Sequence, residues 1–362
     1  MIELKGKYNT AKVFTHNVDS TSQGQIIQLL SNEAFKDSKI RIMPDVHAGA
    51  GCVIGFTMEL KDKIVPNLVG VDIGCGVYTV KLKNKNLDLE RLDNVIRKRV
   101  PSGFSIHSEI NNDRKETGAV LGLEDTSAEV DINRAYNSIG TLGGGNHFIE
   151  VGKDDEGFLY LFIHTGSRKF GLEIAKHHQN IAKEMNPQGE LSYLEGGYAL
   201  YYLDDMDKAQ RYAAENRKHI AHAIIEGMGL EVERSFDTVH NYINLEDKIL
   251  RKGAVAAHKG TELVIPLNMR DGVILAVGKG NEDWNYTAPH GAGRIYSRGQ
   301  AKRTFKLEDF ESEMQGIYST SVSEHTLDES PMAYKDMSEI VNAIGDTVEI
   351  KKIIKPIYNF KA

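Results

Sequence analysis

Apolar side chains recur at close to 3.6-residue spacing through residues 204–228, where Met206, Ala209, Ala213, Ile220, Ala223 and Ile224 share one face. Asp204 and Asp205 stand at the start of this segment and Gly227 and Gly229 at its end, residue types that favour helix caps. The same periodicity predicts helices over 23–35, 89–99, 170–184 and 336–354. Runs rich in Val, Ile, Phe and Tyr predict strands over 52–60, 76–82, 158–163, 254–257, 263–267 and 273–277. Strands and helices do not alternate regularly, so the pattern points to an α+β domain and not a doubly wound sheet. No linker, repeat or low-complexity tract divides the chain, and one domain over 1–362 is expected.

The turns between these segments are unusual in their glycine. Of 362 residues 34 are Gly, clustered in the bursts HAGAGCVIG, VGVDIGCGV, GTLGGGNHF, HTGSRKFG, AVGKGN and HGAGR. Glycine serves where a backbone turns sharply or approaches a ligand, so many loops converging on one site are expected. Two cysteines, Cys52 and Cys75, exclude a disulfide framework. No apolar run reaches the roughly 20 residues of a membrane span, and the first residues lack the apolar core of a secretory signal. A cytoplasmic protein is the expectation. The net charge of −7 argues against nucleic-acid binding by overall positive charge. Local patches remain at Arg97–Arg99, Arg251-Lys252, Lys302-Arg303 and Lys351-Lys352, of the kind that most often form solvated surface.

Candidate chemistry sits in the glycine bursts. Asp72 and Cys75 are either a turn aspartate and a buried thiol, or two ligands presented to one ion. His147 follows a triple glycine, His164 ends an apolar strand, and His240 precedes Asn241. One such histidine is more often structural than not. Three of them with an acid and a thiol form a plausible two-metal ligand set, suited to Zn, Mn, Fe or Co rather than Mg or Ca alone. His290, in Ala-Pro-His-Gly-Ala-Gly-Arg, is followed by small residues that let a large ligand lie against backbone N–H groups, or it is a surface histidine in a Gly-rich turn.

The strings MPDVHAGAG, GVDIGCG, GTLGGGNHFIE, HTGSR, HNY, RKGA, APHGAGR and AYKD…FKA, in this order over essentially the whole chain, resemble the RtcB family of RNA ligases. The resemblance implies one α+β domain with a deep central cleft for metal and nucleotide. It implies that Asp72, Cys75 and His147 bind one manganese ion, and Cys75, His164 and His240 a second. It makes His290 the nucleophile that takes GMP from GTP. Asn146, His147, Phe148, Ile149 and Glu150 would line one side of the guanylate pocket, His240 and Asn241 another, with Pro266, Leu267, Asn268 and Met269, and His290, Gly291, Ala292 and Gly293, completing it. Lys361 would contact the nucleotide, and Tyr334 would either stack near the base or belong to the core. The implied substrates are RNA ends with a 3′-phosphate or 2′,3′-cyclic phosphate and a 5′-hydroxyl. Arg168 and Arg294 are the candidates for RNA phosphate. Asp45 and His47 either orient a reacting water or hydroxyl or cap a loop. The sequence departs from the longer relatives at Pro266-Leu267-Asn268-Met269 and Arg270-Asp271-Gly272, where they carry serines. It resembles the compact branch, which suggests repair rather than obligatory tRNA splicing. The competing readings are a metal-dependent RNA phosphodiesterase or phosphatase, which needs the metal cluster but not a covalent histidine, and an inactive RNA-binding relative.

Overall fold

Two antiparallel-dominated sheets carry the chain, and the computed structural model describes residues 1–362. The larger has seven strands in the order Glu262–Asn268, Gly272–Gly278, Val348–Phe360, Phe148–Lys153, Leu159–Thr165, Gly76–Leu82 and Val232–Val239, every neighbour antiparallel. The second has six, in the order Ile2–Lys5, Thr10–Val13, Ile40–His47, Ile54–Glu59, Ile249–Lys252 and Asn241–Asn244. A two-stranded ribbon, Ala254–Ala256 with Thr287–Pro289, lies beside them. The architecture is α+β, as the irregular alternation predicts.

The longest helix, Gly196–Met228, ties the sheets together. Tyr202, Met206, Ala209 and Tyr212 pack in a core with Ile40, Ile42 and Phe56 of the six-stranded sheet. Ile220, Ala221 and Ile224, further along, pack against Val80, Leu161 and Ile149 of the seven-stranded sheet. No helix is long and apolar enough to cross a membrane.

The helix begins eight residues before the predicted 204, and Asp204 and Asp205 do not cap it. Asp205 is buried mid-helix, where it accepts hydrogen bonds from the Ser127 and Ala128 amides and pairs with His178. Gly229 ends the helix in the left-handed region, as expected. The predicted helix at 23–35 starts at Ser20 behind the Asp19 cap and stops at Leu30, with Glu33–Phe35 as a separate 3-10 turn. The one wrong element type is 336–354. A short helix, Met337–Ala343, stops before Gly345, and Val348–Phe360 is a central strand. Val348, Ile350, Ile353 and Ile354 are β-branched and stiff at χ1, which favours the pleated sheet once paired.

Candidate active site

Antiparallel pairing explains how distant motifs meet. Gly76 pairs with Thr165 on one side and Val239 on the other, and Phe148 pairs with His164. The start of Gly76–Leu82 therefore lies beside the ends of Leu159–Thr165 and Val232–Val239 and the start of Phe148–Lys153. Cys75, His164, His240 and His147 occupy these four positions. All the glycine bursts except AVGKGN turn at or near this place. Gly166 of HTGSR touches Asp72 so closely that a Cβ there would sit 2.1 Å from Oδ1.

The ligand atoms converge. Cys75 Sγ lies 3.3 Å from His164 Nε2 and 3.7 Å from His147 Nε2; His164 Nε2 lies 3.3 Å from His240 Nε2. His147 Nε2 is 2.9 Å from Asp72 Oδ2, an arrangement that asks for a proton or a cation between them. Two groups, Cys75/His164/His240 and Asp72/Cys75/His147, each bring their donor atoms within 4.8 Å of one another, and the thiol is common to both. The Leu142 and Asn146 carbonyls hold Nδ1 of His147 and His164, aiming each Nε2 inward. Burial, then neighbouring histidines, push His164 and His240 well below the usual range, so both are neutral imidazoles. Burial would raise Asp72, but the hydrogen bond and charge of His147, with Cys75 and Arg168, together outweigh it and hold it near 2. Burial and the Asp72 charge push the Cys75 thiol up, and a coordinated metal reverses that preference by displacing the proton. One carboxylate, one thiol and three imidazoles around one shared sulfur fit a pair of transition ions.

His290 stands next to this cluster, its ring centroid 4.8 Å from that of His240. It follows the ribbon strand Thr287–Pro289, whose partner begins at Ala254, and the Ala254 amide donates to the His240 carbonyl. Asp45, wholly buried in Ile40–His47, accepts from His290 Nδ1 at 2.7 Å and from the His290 amide at 3.2 Å. The carboxylate fixes the proton on Nδ1 and leaves Nε2 as the free lone pair. Asp45 thus orients the His290 ring and also holds the backbone amide of that turn. Gly293 has φ +79° and lies against the Asp45 backbone, where a Cβ would come within 2.3 Å of its carbonyl oxygen. Lys335 of AYKD grips the Pro44 and Val46 carbonyls on either side of Asp45. His47 Nδ1 donates to the Asp45 carbonyl, and burial pushes the ring down to about 4.

A cavity of about 820 Å³ opens on His290, His164 and His240. Asn146, Phe148, Glu150, Asn241, Pro266, Leu267, Asn268, Met269, Gly291, Ala292, Gly293, Tyr334 and Lys361 line it. The run 146–150 is split by strand alternation: Phe148 and Glu150 face the cavity, His147 turns to the metal cluster, and Ile149 lies in the core with Val151 and Leu161. Ile149 therefore does not line the pocket. Asn268 commits its amide to the hairpin turn, accepting from the Arg270 and Asp271 amides and donating to the Asp271 carboxylate. Lys361 is an anchored end: Ser321 Oγ bonds both its amide and its carbonyl, and Nζ meets Glu329 Oε2 at 2.5 Å. Tyr334 donates to the same carboxylate and lies under the Arg294 guanidinium. Arg294 lines the cavity, but Glu329, Tyr334 and the Asp328 carbonyl already hold it. Arg168 lies outside this cavity, with Thr141 Oγ1 and the Gly103 carbonyl as its partners.

Sequence reasoning missed two features. Glu329 is the hub of the cavity floor, reached by Lys361, Arg298 and Arg294 and by the Tyr334 hydroxyl; burial would raise it, yet the three cations hold it near 2. Asn216 and Arg217, both fully buried in Gly196–Met228, grip the metal loops from behind. Asn216 binds the Gly140 and Thr141 amides and the Thr141 and Gly166 carbonyls. Arg217 donates from Nη1 to the Gly74 and Thr165 carbonyls, 2.8 Å each, and pairs with Asp237. A polar pair on the inward face of an amphipathic helix was the available signal.

The family described as tRNA-splicing ligase RtcB matches residues 27–362. The RNA-splicing ligase RtcB of Escherichia coli K12 is 30% identical, with 92% of each chain covered. The tRNA-splicing ligases RtcB of Aeropyrum pernix and Pyrobaculum aerophilum are 28% and 27% identical over 84% and 87% of this chain, and 84% and 85% of theirs. The motifs that build the cluster and the cavity fall within residues 27–362 of the family match, and the chain belongs to the RtcB family.

Proposed function

We propose that this chain is a GTP- and manganese-dependent RNA ligase, one domain over 1–362, that joins a 3′-phosphate or 2′,3′-cyclic phosphate end to a 5′-hydroxyl end. Family membership supports RNA ligation. The observation that carries the finer reading is His290, held by a buried carboxylate at 2.7 Å and set beside His240 in one cavity. A metal-dependent phosphodiesterase or phosphatase needs the metal cluster but no covalent histidine beside it.

Asp72, Cys75 and His147 would hold one manganese ion, and Cys75, His164 and His240 the other. When bound, the metals neutralise charge on the reacting phosphates. His290 Nε2 attacks the α-phosphorus of GTP, the P–N bond forms and pyrophosphate leaves. Asp45 keeps the proton on Nδ1 and offsets the positive charge that grows on the ring, the role of the acid in a Ser-His-Asp triad. A 3′-phosphate oxygen of the RNA, formed by hydrolysis where the end is cyclic, then displaces His290 and takes the GMP as RNA-ppG. The 5′-hydroxyl attacks the 3′-phosphorus, its proton is lost and GMP leaves. The cavity residues named above hold the nucleotide, Lys361 at its floor. Arg168 would take the RNA phosphate, a contact its planar guanidinium suits; Arg294 serves the cavity wall.

The test is incubation with Mn²⁺ and GTP labelled at the α-phosphate. Wild-type protein is expected to carry acid-labile label, and His290→Ala none. Absence of label on wild-type protein with any divalent metal would overturn the reading.

A further inference from the structure

Phe104 is 98% exposed, the most exposed large apolar side chain in the molecule. An aromatic ring left in water forgoes the burial that normally holds it. Its loop is nevertheless fixed. The Gly103 amide donates to the Gly143 carbonyl at 3.0 Å, and Arg168 Nη2 donates to the Gly103 carbonyl at 3.3 Å. Both partners belong to motifs that carry metal ligands, GTLGGGNH and HTGSR.

The metal cluster has two open sides. His164 and His240 face the nucleotide cavity. Asp72 does not line that cavity, yet its side chain is 30% exposed. On that second side Gly166 lies against Asp72, and Arg168 follows two residues later. Arg168 is hydrogen-bonded only to uncharged oxygens, with the Asp72 charge close by, so its guanidinium forms no ion pair and can still take a phosphate. Arg134 adds a second positive charge nearby. A nucleotide fills the first side during guanylylation, so an RNA end must reach the metals from the second, past Arg168 and Phe104.

We infer that Phe104 is a stacking platform for a nucleobase of the RNA next to the end being joined, an inference that rests on the ligase reading. Every base has a π-face, so the contact is tolerant of sequence. The backbone phosphate beside that base falls to Arg168.

The experiment uses the full chain and a short single-stranded RNA ending in a 3′-phosphate, with 2-aminopurine near that end. Wild-type protein is expected to quench the 2-aminopurine on binding. Phe104→Ala should lose the quenching and bind the RNA about fivefold to a hundredfold more weakly, the range for one lost base–aromatic stack. Phe104→Trp should restore both. GTP labelling of His290 should be the same in all three proteins, because the nucleotide lies on the other side. The inference is overturned if Phe104→Ala binds and quenches like wild type, if Phe104→Trp is as impaired as Phe104→Ala, or if wild type does not bind the RNA. Failure of His290 labelling with quenching intact would sink the ligase reading and leave the stacking contact standing.

Discussion

Glu150 links stability to pH and, on the proposed reading, to nucleotide choice. Its carboxylate is buried, Oε2 accepts from Asn359 Nδ2 at 2.9 Å, and Oε1 has no partner. Burial lifts it from 4.5 to about 8. A carboxyl whose folded value exceeds its unfolded one stabilises the fold fully below 4.5 and loses that contribution as pH rises toward 8. Guanine offers N–H donors that suit a carboxylate acceptor, so GTP binding should expel the proton and strengthen across the same rise. Glu150→Gln should flatten both profiles: its melting temperature should fall less than that of wild type between about pH 5 and pH 8, and its GTP affinity should stop rising with pH. Parallel profiles for the two proteins in thermal melts and nucleotide titrations would refute the assignment. The sequence showed Glu150 only as part of a run. The alternation that turns it inward and sends Ile149 to the core follows from strand pairing, which a single stretch of residues does not display.

Among the elements, the helix Gly196–Met228 does more than bury an apolar face. Asn216 and Arg217 hold Gly74, Thr141, Thr165 and Gly166, the backbone that carries Cys75, His147 and His164. Arg217 is a positioning residue and touches no ligand atom. Arg217→Met should weaken Co²⁺ binding about tenfold to a hundredfold, the size of effect seen when groups orienting metal ligands are removed. It should also destabilise the protein by about 3–5 kcal/mol, since Asp237 loses its partner. Unaltered cobalt–thiolate absorption and affinity in a folded variant would reject the role. Arg217→Lys, which keeps the charge but reaches fewer carbonyls, should fall between. The helix was legible from its 3.6-residue period; its first turns were not, because Tyr198, Leu200 and Tyr201 are exposed apolar residues that blur the pattern. The misread of 348–354 has the same root: a β-branched run near a helix looks continuous until Gly345 and pairing with Gly272–Gly278 separate them.

For the whole molecule, charge and topology divide the labour. The basic pairs that sequence offered for RNA are mostly structural. Arg251 is buried against Asp247 and Thr287, Lys252 Nζ meets the Ala50 and Asn67 carbonyls, Arg97 pairs with Asp93, and Lys352 pairs with Asp154 and Glu156. Lys98 and Arg303 stay exposed without an ion-pair partner, and on the exposed side of the candidate metal cluster the positive charge is Arg168. The candidate metal ligands were legible as residue types in glycine-rich turns, since the chemistry of acid, thiol and imidazole limits what they could hold. Their convergence was not, because it depends on the register of four antiparallel strands. The central claim is that the 3′-phosphate is activated and kept, not removed. Its most direct test follows the phosphorus of an RNA labelled at its 3′-phosphate, mixed with a 5′-hydroxyl RNA, GTP, Mn²⁺ and the protein. The account predicts label inside the joined RNA, resistant to phosphatase, as the junction phosphodiester. Label released as inorganic phosphate, with no joined product, would contradict it.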